Sequence, residues 1–399
     1  MKLSLFLIFF CFTAEAVSLD EIRTLAIDRS PLLSAQEFET RAVRSDVSWK
    51  GKWGNPQLMT QWGTLKTGSA KPGVTAELSL TQPVPLSDKY SLRRELAEVA
   101  VKQQEANTIY YKNWVAHQAV LSAWRVFATR ELYRHGEERT KRLRLVKSYV
   151  ETRPRVSIKH RVELSLIEAT LLELSKDLDL KAHELRVAMS DLEFWTGKKL
   201  TAEELRLSIP DFQLLTIPSS VDINKDPELH RADLTKKMAS LDKEIARKER
   251  RPDLFLGGGY RVESVVPQNH FMYGIVGLNI PIWDTGFGRA QAAGARLRRD
   301  EKNYEETKRR VELKQNKQLE LVNYQLEQVK RFPPKTVHKN ERAIHEAEAG
   351  FKQGVLDVNT FLLMETQSHE VIDHVFISWV EYLNAVSELA LMKGEDLKW

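Results

Sequence analysis

The chain has 399 residues, 42% of them apolar and 29% charged, the balance of a folded protein with room for one large domain or several small ones. Its 60 basic and 55 acidic side chains leave a net charge of +5 spread along the chain, too little to draw a nucleic-acid partner. The single cysteine, Cys11, excludes a disulfide framework, and its loss with the N-terminal segment would also exclude thiolate metal sites and cysteine nucleophiles.

The first element in chain order is an address. Lys2 gives a positive start, Leu3 to Phe12 is an apolar stretch of ten residues, and Ala14-Glu15-Ala16 supplies a small-x-small cleavage pattern. Residues 1–16 are therefore expected to be a removed secretory signal, with the mature chain starting near Val17. The bulky Phe10 argues against a lipid anchor on Cys11. No later run approaches the roughly 18 apolar residues of a transmembrane helix, so any membrane span has to be made of strands.

The mature chain then repeats itself. Ser30-Pro31-Leu32-Leu33 returns as Asp226-Pro227-Glu228-Leu229, Asn55-Pro56-Gln57-Leu58 as Arg251-Pro252-Asp253-Leu254, and Pro85-Leu86-Ser87-Asp88 as Pro281-Ile282-Trp283-Asp284, each 196 residues on. Leu192 and Gly197 return as Leu389 and Gly394 at an offset of 197. The spacing predicts two copies, residues 17–207 and 226–399, joined by an irregular linker over 208–225. Each copy runs helix, β-hairpin, long helix, shorter helix, with the hairpins at 57–82 and 254–281.

In the first hairpin, strands over 57–66 and 73–82 are joined around Lys71-Pro72-Gly73. Val74, Ala76, Leu78 and Leu80 alternate with Thr75, Glu77, Ser79 and Thr81, the period of a strand with one apolar and one polar face. In the second hairpin, strands near 254–264 and 271–281, Leu254, Leu256, Tyr260 and Val262 alternate with Phe255, Gly257, Arg261 and Glu263. Strands of about ten residues fit a tilted membrane crossing and fit a soluble hairpin equally well. On the membrane reading, Val74, Ala76, Leu78 and Leu80 are the lipid-facing candidates.

The helices are long. No proline interrupts Leu86 to Tyr149, and positions 92, 96, 99, 103, 106, 110, 113, 117, 120, 124 and 127 follow steps of four and three, a coiled-coil seam with polar interruptions at Gln103, Asn113 and His117. Such a helix spans about 96 Å, and a return helix of roughly 40 residues plus an opening helix of roughly 30 would match it end to end. The shorter helices repeat the seam: Phe361, Ile372, Val375, Trp379, Tyr382, Val386 and Leu389 correspond to Leu164, Ser175, Leu178, Ala182, Leu185, Met189 and Leu192. Pro333-Pro334 falls inside the second long helix, where a break or kink is expected because proline lacks a donor and clashes with the preceding turn.

Asn55-Pro56-Gln57-Leu58, Leu80-Thr81-Gln82-Pro83-Val84-Pro85-Leu86, Arg251-Pro252-Asp253-Leu254, Gly277 to Gly286, Phe351-Lys352-Gln353-Gly354 and the closing Leu389 with Gly394 together resemble the outer-membrane efflux (TolC-like) protein family. The resemblance implies a mainly α fold with a small β part, long coiled-coil-like helices forming a trimeric α-barrel, and four transmembrane strands per chain in a shared 12-stranded β-barrel. It implies a channel in the cell outer membrane with a periplasmic helical extension, serving tripartite efflux or type I secretion. The implied partners are two further copies in a homotrimer, a periplasmic adaptor protein, an inner-membrane transporter and outer-membrane lipid. No catalytic residue, cofactor or metal is expected. Independently, four strands leave open edges that lipid cannot satisfy, so partners are needed to close them.

The first copy has Thr152-Arg153-Pro154-Arg155 where the family has a hairpin glycine; the second keeps it as Gly354. Family aspartates six and nine residues past that glycine line the closed periplasmic aperture, and here those places hold Thr360 and Leu363. Asp357, three past Gly354, is the nearest carboxylate, either at the aperture or capping the last helix. Gly354, Asp357, Thr360 and Leu363 are thus the aperture candidates. His369 and His374 are five apart, about 140° around a helix, and cannot share a metal as the zinc-protease spacing does. The remaining histidines are expected to be mostly solvated. Gly257-Gly258-Gly259 lacks the lysine of a phosphate loop and suits close packing in a barrel wall. A periplasmic adaptor or a coiled-coil scaffold of an envelope complex is the rival reading.

Overall fold

The computed structural model describes residues 17–65, 73–152, 158–205, 207, 222–264, 268–280 and 282–395. The expected signal at 1–16, the Lys71-Pro72 turn, Arg153-Pro154-Arg155, Pro267 and linker residues 208–221 lie outside them. The elements follow as α1 (Leu19–Arg29), α2 (Pro31–Lys50), β1 (Gln57–Leu65), β2 (Gly73–Pro85), α3 (Lys89–Glu151), α4 (Ile158–Thr196), α5 (Pro227–Lys248), β3 (Asp253–Glu263), β4 (Asn269–Asn279), α6 (Phe287–Arg331), α7 (Lys335–Lys352) and α8 (Val358–Met392).

Local chemistry sets these limits. Ser18 and Glu21 form a reciprocal capping box that starts α1, with Ser18 N–H donating to Glu21 at 2.7 Å and Glu21 N–H to Ser18 Oγ at 3.2 Å. Asp226 caps α5 by accepting the Glu228 N–H at 2.8 Å, and Pro227 at the first helical position loses no intrahelical bond. With no proline inside it, α3 runs unbroken for 63 residues. The second long helix does break: α6 ends at Arg331 and α7 begins at Lys335, on either side of Pro333-Pro334.

The chain divides into two compact units. One comprises Ser34–Ile109 and Asn224–Val311 and holds an antiparallel sheet in the order β1-β2-β3-β4. Leu92 and Val99 of α3 pack with Leu234, Leu241 and Ile245 of α5 as its buried helical core. β2 runs on to Pro85 rather than stopping at residue 82. Its pairing with β1 ends at Gln57↔Thr81, so the missing N–H groups of Pro83 and Pro85 leave no β1 carbonyl wanting, while Pro83↔Phe255 and Pro85↔Asp253 stay in register with β3. β3 and β4 occupy 253–263 and 269–279, so β4 begins and ends two residues earlier than the alternation indicated.

The other unit takes its described residues from 17–33, 110–207, 222–223 and 312–395. Its largest cluster joins Val120, Trp124 and Phe127 of α3, Val322 and Val329 of α6, Val337 and Ile344 of α7, and the α8 row from Ile372 to Leu389. A second cluster packs Ile22 and Ala26 of α1 on Val115, Ala119 and Val126 of α3 and Ala188 and Leu192 of α4. A third gathers Leu143 and Val150 of α3, Ile167 of α4, Phe351 of α7 and Phe361 of α8. α8 alone among the described helices is long and apolar enough to cross a membrane, yet 67% of its most apolar window is buried inside the protein, as a core helix should be.

Candidate functional site

Register sorts the sheet into two faces. Cross-strand rows such as Thr60–Leu78–Tyr260–Met272 and Trp62–Ala76–Val262–His270 share one face; Gln61–Glu77–Arg261–Phe271 and Met59–Ser79–Gly259–Tyr273 share the other. Side chains alternate across a pleated strand, so Val74, Ala76, Leu78 and Leu80 all fall on the first face. Val74, Leu78 and Leu80 are exposed there, and their neighbours Trp62, Met272 and Val276 stand 76%, 88% and 77% open. Large apolar side chains gathered and exposed on one face mark it as a contact surface for lipid or protein. Among the described residues the outer edges of β1 and β4 have no strand beside them.

The second face is polar and internally bonded. Glu77 accepts two hydrogen bonds from Arg261, at 2.8 and 3.0 Å, and a third from the Tyr273 hydroxyl, tying β2, β3 and β4 together. Gly259 makes room for this arrangement: a Cβ there would overlap the Tyr273 ring. At Gly257 a Cβ would collide with the Leu80 carbonyl oxygen, so two of the three consecutive glycines are dictated by close approach within the sheet.

The turn between α7 and α8 is built differently. Gly354 has φ +76, and the Gly354 N–H reaches the Phe351 carbonyl while the Val355 N–H reaches that of Gly350 at 2.9 Å. This pair of bonds is a Schellman motif, whose left-handed position glycine occupies without a Cβ penalty. Asp357 then caps α8, its Oδ1 accepting the Thr360 N–H at 2.8 Å. That bond holds the Asp357 carboxyl below its usual pKa. Asp357, Thr360 and Leu363 lie three residues apart on the exposed side of α8, while Val358, Phe361 and Leu362 are buried on the other. The structure therefore brings the four aperture candidates onto one turn and the exposed helical face that follows it.

One cluster gave no motif in the sequence. Glu365 of α8, with no exposed surface, receives Arg139 Nε at 2.8 Å, and His369 Nε2 lies 3.2 Å from it and Arg142 Nη1 3.7 Å. Arg139 also donates to Thr366 Oγ1 at 2.8 Å, and Arg142 lies 3.6 Å from Glu348 of α7. The i, i+4 placement of Glu365 and His369 inside an otherwise apolar seam was the available signal. His369 thus sits against the Arg139–Arg142–Glu365 cluster, its Nε2 also 3.3 Å from Arg142 Nη1, while His374 stacks on Phe332 at 5.4 Å. His183, His230, His270, His338, His345 and His374 are exposed, as expected of most histidines here, while His117, His135, His160 and His369 are buried, because α3, α4 and α8 each turn polar positions inward. His117 meets Ser387 at 3.0 Å, and burial lowers its pKa to about 4. Among the described residues no three His, Cys, Asp or Glu side chains are grouped to hold a metal ion.

The sequence matches no family model and no curated protein. Solved structures do match. The open-state MtrE outer-membrane channel of Neisseria gonorrhoeae is 14% identical, with 95% of this chain and 89% of that one covered at a TM-score of 0.79. The CmeC outer-membrane channel of Campylobacter jejuni is 13% identical over 96% and 87% of the two chains, at 0.77. The outer-membrane protein VceC of Vibrio cholerae is 13% identical over 95% and 97%, at 0.70. The likeness runs through both the sheet and the helices, and the chain has the fold of the TolC-like outer-membrane efflux channels.

Proposed function

We propose that this chain is one subunit of a trimeric outer-membrane channel, the exit duct of a tripartite efflux or type I secretion system. It would pass substrates from the periplasm or an inner-membrane pump to the exterior, without enzymatic chemistry. The observation that carries the reading is the sheet: an exposed apolar face backed by a polar, hydrogen-bonded face, with two open edges. In lipid those edges must be paired, and three copies of four strands close a 12-stranded barrel. Leu78 and its row face lipid, and Glu77 with Arg261 faces the lumen. The two halves of the mature chain are two copies of one helix–hairpin–helix–helix unit. The helices extend into the periplasm and meet an adaptor protein and an inner-membrane transporter.

The deciding experiment is cell fractionation followed by planar-bilayer recording of the purified oligomer. Outer-membrane recovery, an oligomer sensitive to heat in detergent and discrete conductance are expected; a soluble periplasmic monomer would sink the reading in favour of an adaptor. Leu78→Arg should cost about 2–4 kcal/mol of membrane insertion, whereas Thr75→Arg should cost far less because it faces Glu263 across the lumen side. Equal insertion of the two variants would reverse the assignment of faces.

At the α7–α8 turn, three copies of Asp357 would ring the aperture with Thr360 and Leu363 further along. Asparagine also caps helices, so Asp357→Asn removes charge while keeping the turn. Reduced cation selectivity is expected. Unchanged selectivity and closed-state conductance would remove Asp357 from the aperture and leave it as a cap.

A further inference from the structure

We infer that the groove where α2 passes into β1 holds a zwitterionic phospholipid headgroup, a phosphate joined to a primary ammonium, at the membrane–water boundary. The inference rests on the channel reading above. The groove has a volume of about 680 Å³ and lies entirely in the unit that carries the sheet, between the 49–55 segment, the first turns of α3 and the last turns of α5. Leu96 and Ile245 supply its apolar lining.

Its place in the chain sets its depth. Trp53 is four residues before Gln57, the first residue of β1, so the chain can separate them by at most about 14 Å. The loop is also tied to the sheet, since Gln82 of β2 donates to the Gly54 carbonyl at 2.8 Å. A groove within that reach of a membrane-spanning strand lies at or next to the headgroup layer, which adds about 5–8 Å on each side of the hydrocarbon. Trp49 and Trp53 line it and are 59% and 55% exposed, indoles placed where a bilayer interface favours them.

The charges that line the groove are not equivalent. Lys50 is committed to Asp46 at 2.6 Å. Arg93 gives one N–H to Glu249 at 2.6 Å and lies 5.2 Å from the Tyr90 ring centre, leaving other guanidinium donors to spend. Among the described residues, Lys52 forms no ion pair, and Asp242 forms neither an ion pair nor a hydrogen bond. Burial raises the Asp242 carboxyl above the ordinary range and the charge of Arg296 only partly offsets this, so a hydrogen-bonding cation would stabilise it further. An ammonium without an ion pair, a carboxylate without a hydrogen-bonded partner and aromatic faces complement a phosphate and a primary ammonium joined by a short linker. A glycerol headgroup would leave Asp242 facing a lone anion. A trimethylammonium headgroup would have no N–H to give it.

The test is native mass spectrometry of the detergent-purified oligomer mixed with equal amounts of dioleoyl phosphatidylethanolamine, phosphatidylglycerol and phosphatidylcholine. The ethanolamine lipid should be retained roughly five- to tenfold over the other two. Asp242→Asn should bring the ethanolamine and glycerol lipids to parity, and Lys52→Gln should weaken both. Both side chains are exposed, and the same spectra report whether each variant keeps its oligomer. Equal retention by the unaltered protein, a preference unchanged in Asp242→Asn, or retention undiminished in Lys52→Gln overturns the inference. Displacement by millimolar inorganic phosphate would assign the groove to a free anion and also overturn it. If the oligomer conducts in planar bilayers yet shows no lipid preference, the headgroup site falls alone. If it neither inserts nor conducts, the channel reading falls and takes the site with it.

Discussion

Helices α4 and α8 hold corresponding places 197 residues apart, and they are buried very differently. All seven seam positions of α8, from Phe361 to Leu389, are buried. Of their counterparts in α4 only Leu192 is, and α4 leaves Ile158, Val162, Leu172, Leu180, Val187 and Phe194 exposed. The equivalent carboxylates diverge in the same way. Glu365 is sealed among Arg139, Arg142 and His369, while its counterpart Glu168 pairs with Lys147 at 2.8 Å on an open surface. The same pattern of apolar positions has thus produced a core helix in one half and, in the other, a helix with much of its apolar surface left over. What differs is the company: α8 packs against α3, α6 and α7 of its own chain, and a second face of α4 has no partner among them.

The largest effect should separate the two carboxylates. Glu365→Gln leaves two guanidinium groups in a nearly closed space and should cost about 3–5 kcal/mol of stability. Glu168→Gln should cost under about 1 kcal/mol. Urea denaturation followed by circular dichroism measures both, and similar losses would mean that the two helices are equivalent after all.

Acid should weaken the α8 side next. His117, buried against Ser387 of α8, has a folded pKa of about 4 against an ordinary value of 6.5. Between those values the unfolded chain binds more protons, so stability is full above pH 6.5 and falls as the pH drops towards 4. The loss attributable to this side chain is about 3 kcal/mol. His117→Asn should flatten that part of the pH profile, and a profile unchanged by the substitution would remove His117 as its source.

A smaller effect is expected at the turn leading into α8. Gly354→Ala meets no neighbouring atom, so its cost is that of a left-handed backbone alone, about 1 kcal/mol. A shift in the denaturation midpoint beyond about twice that would show packing that the open space around Gly354 does not suggest. The smallest change in chain stability should come from α4. Phe194 is 76% exposed, and Phe194→Asp should move stability by no more than about 0.5 kcal/mol while weakening the oligomer expected in detergent. An unaltered oligomer would mean that this part of α4 faces water rather than another copy.

Much of this was legible in the sequence. Alternation over Val74 to Thr81 marked the two faces of β2, and steps of four and three marked α3, whose Leu92, Val99, Val120, Trp124 and Phe127 are buried as that seam requires. Pro333-Pro334 announced the break between α6 and α7, and Gly354 the turn after α7, because both are backbone effects carried by the residue itself. The Glu365 cluster was hidden, since its arginines come from α3 more than 200 residues away and no local spacing relates them. The unequal burial of α4 and α8 was hidden for a related reason: periodicity tells which side chains share a face, but not how many faces find a partner. The headgroup groove joins α2, α3 and α5 and likewise has no linear signature.

The interruption at Pro333-Pro334 also makes α7 a rod in its own right, 18 residues or about 27 Å long, with Gly354 at its far end. A rod hinged at one end magnifies angle into displacement. A tilt of about 10° at the prolines would carry the glycine turn sideways by roughly 5 Å with the hydrogen bonds inside α7 and α6 kept, provided that α8, on which Ile344 and Phe351 of α7 pack, moves with it. An unbroken helix would have to bend along its whole length to move its end as far. The two prolines thus interrupt the hydrogen-bond ladder at one place and leave continuous helix on either side of it.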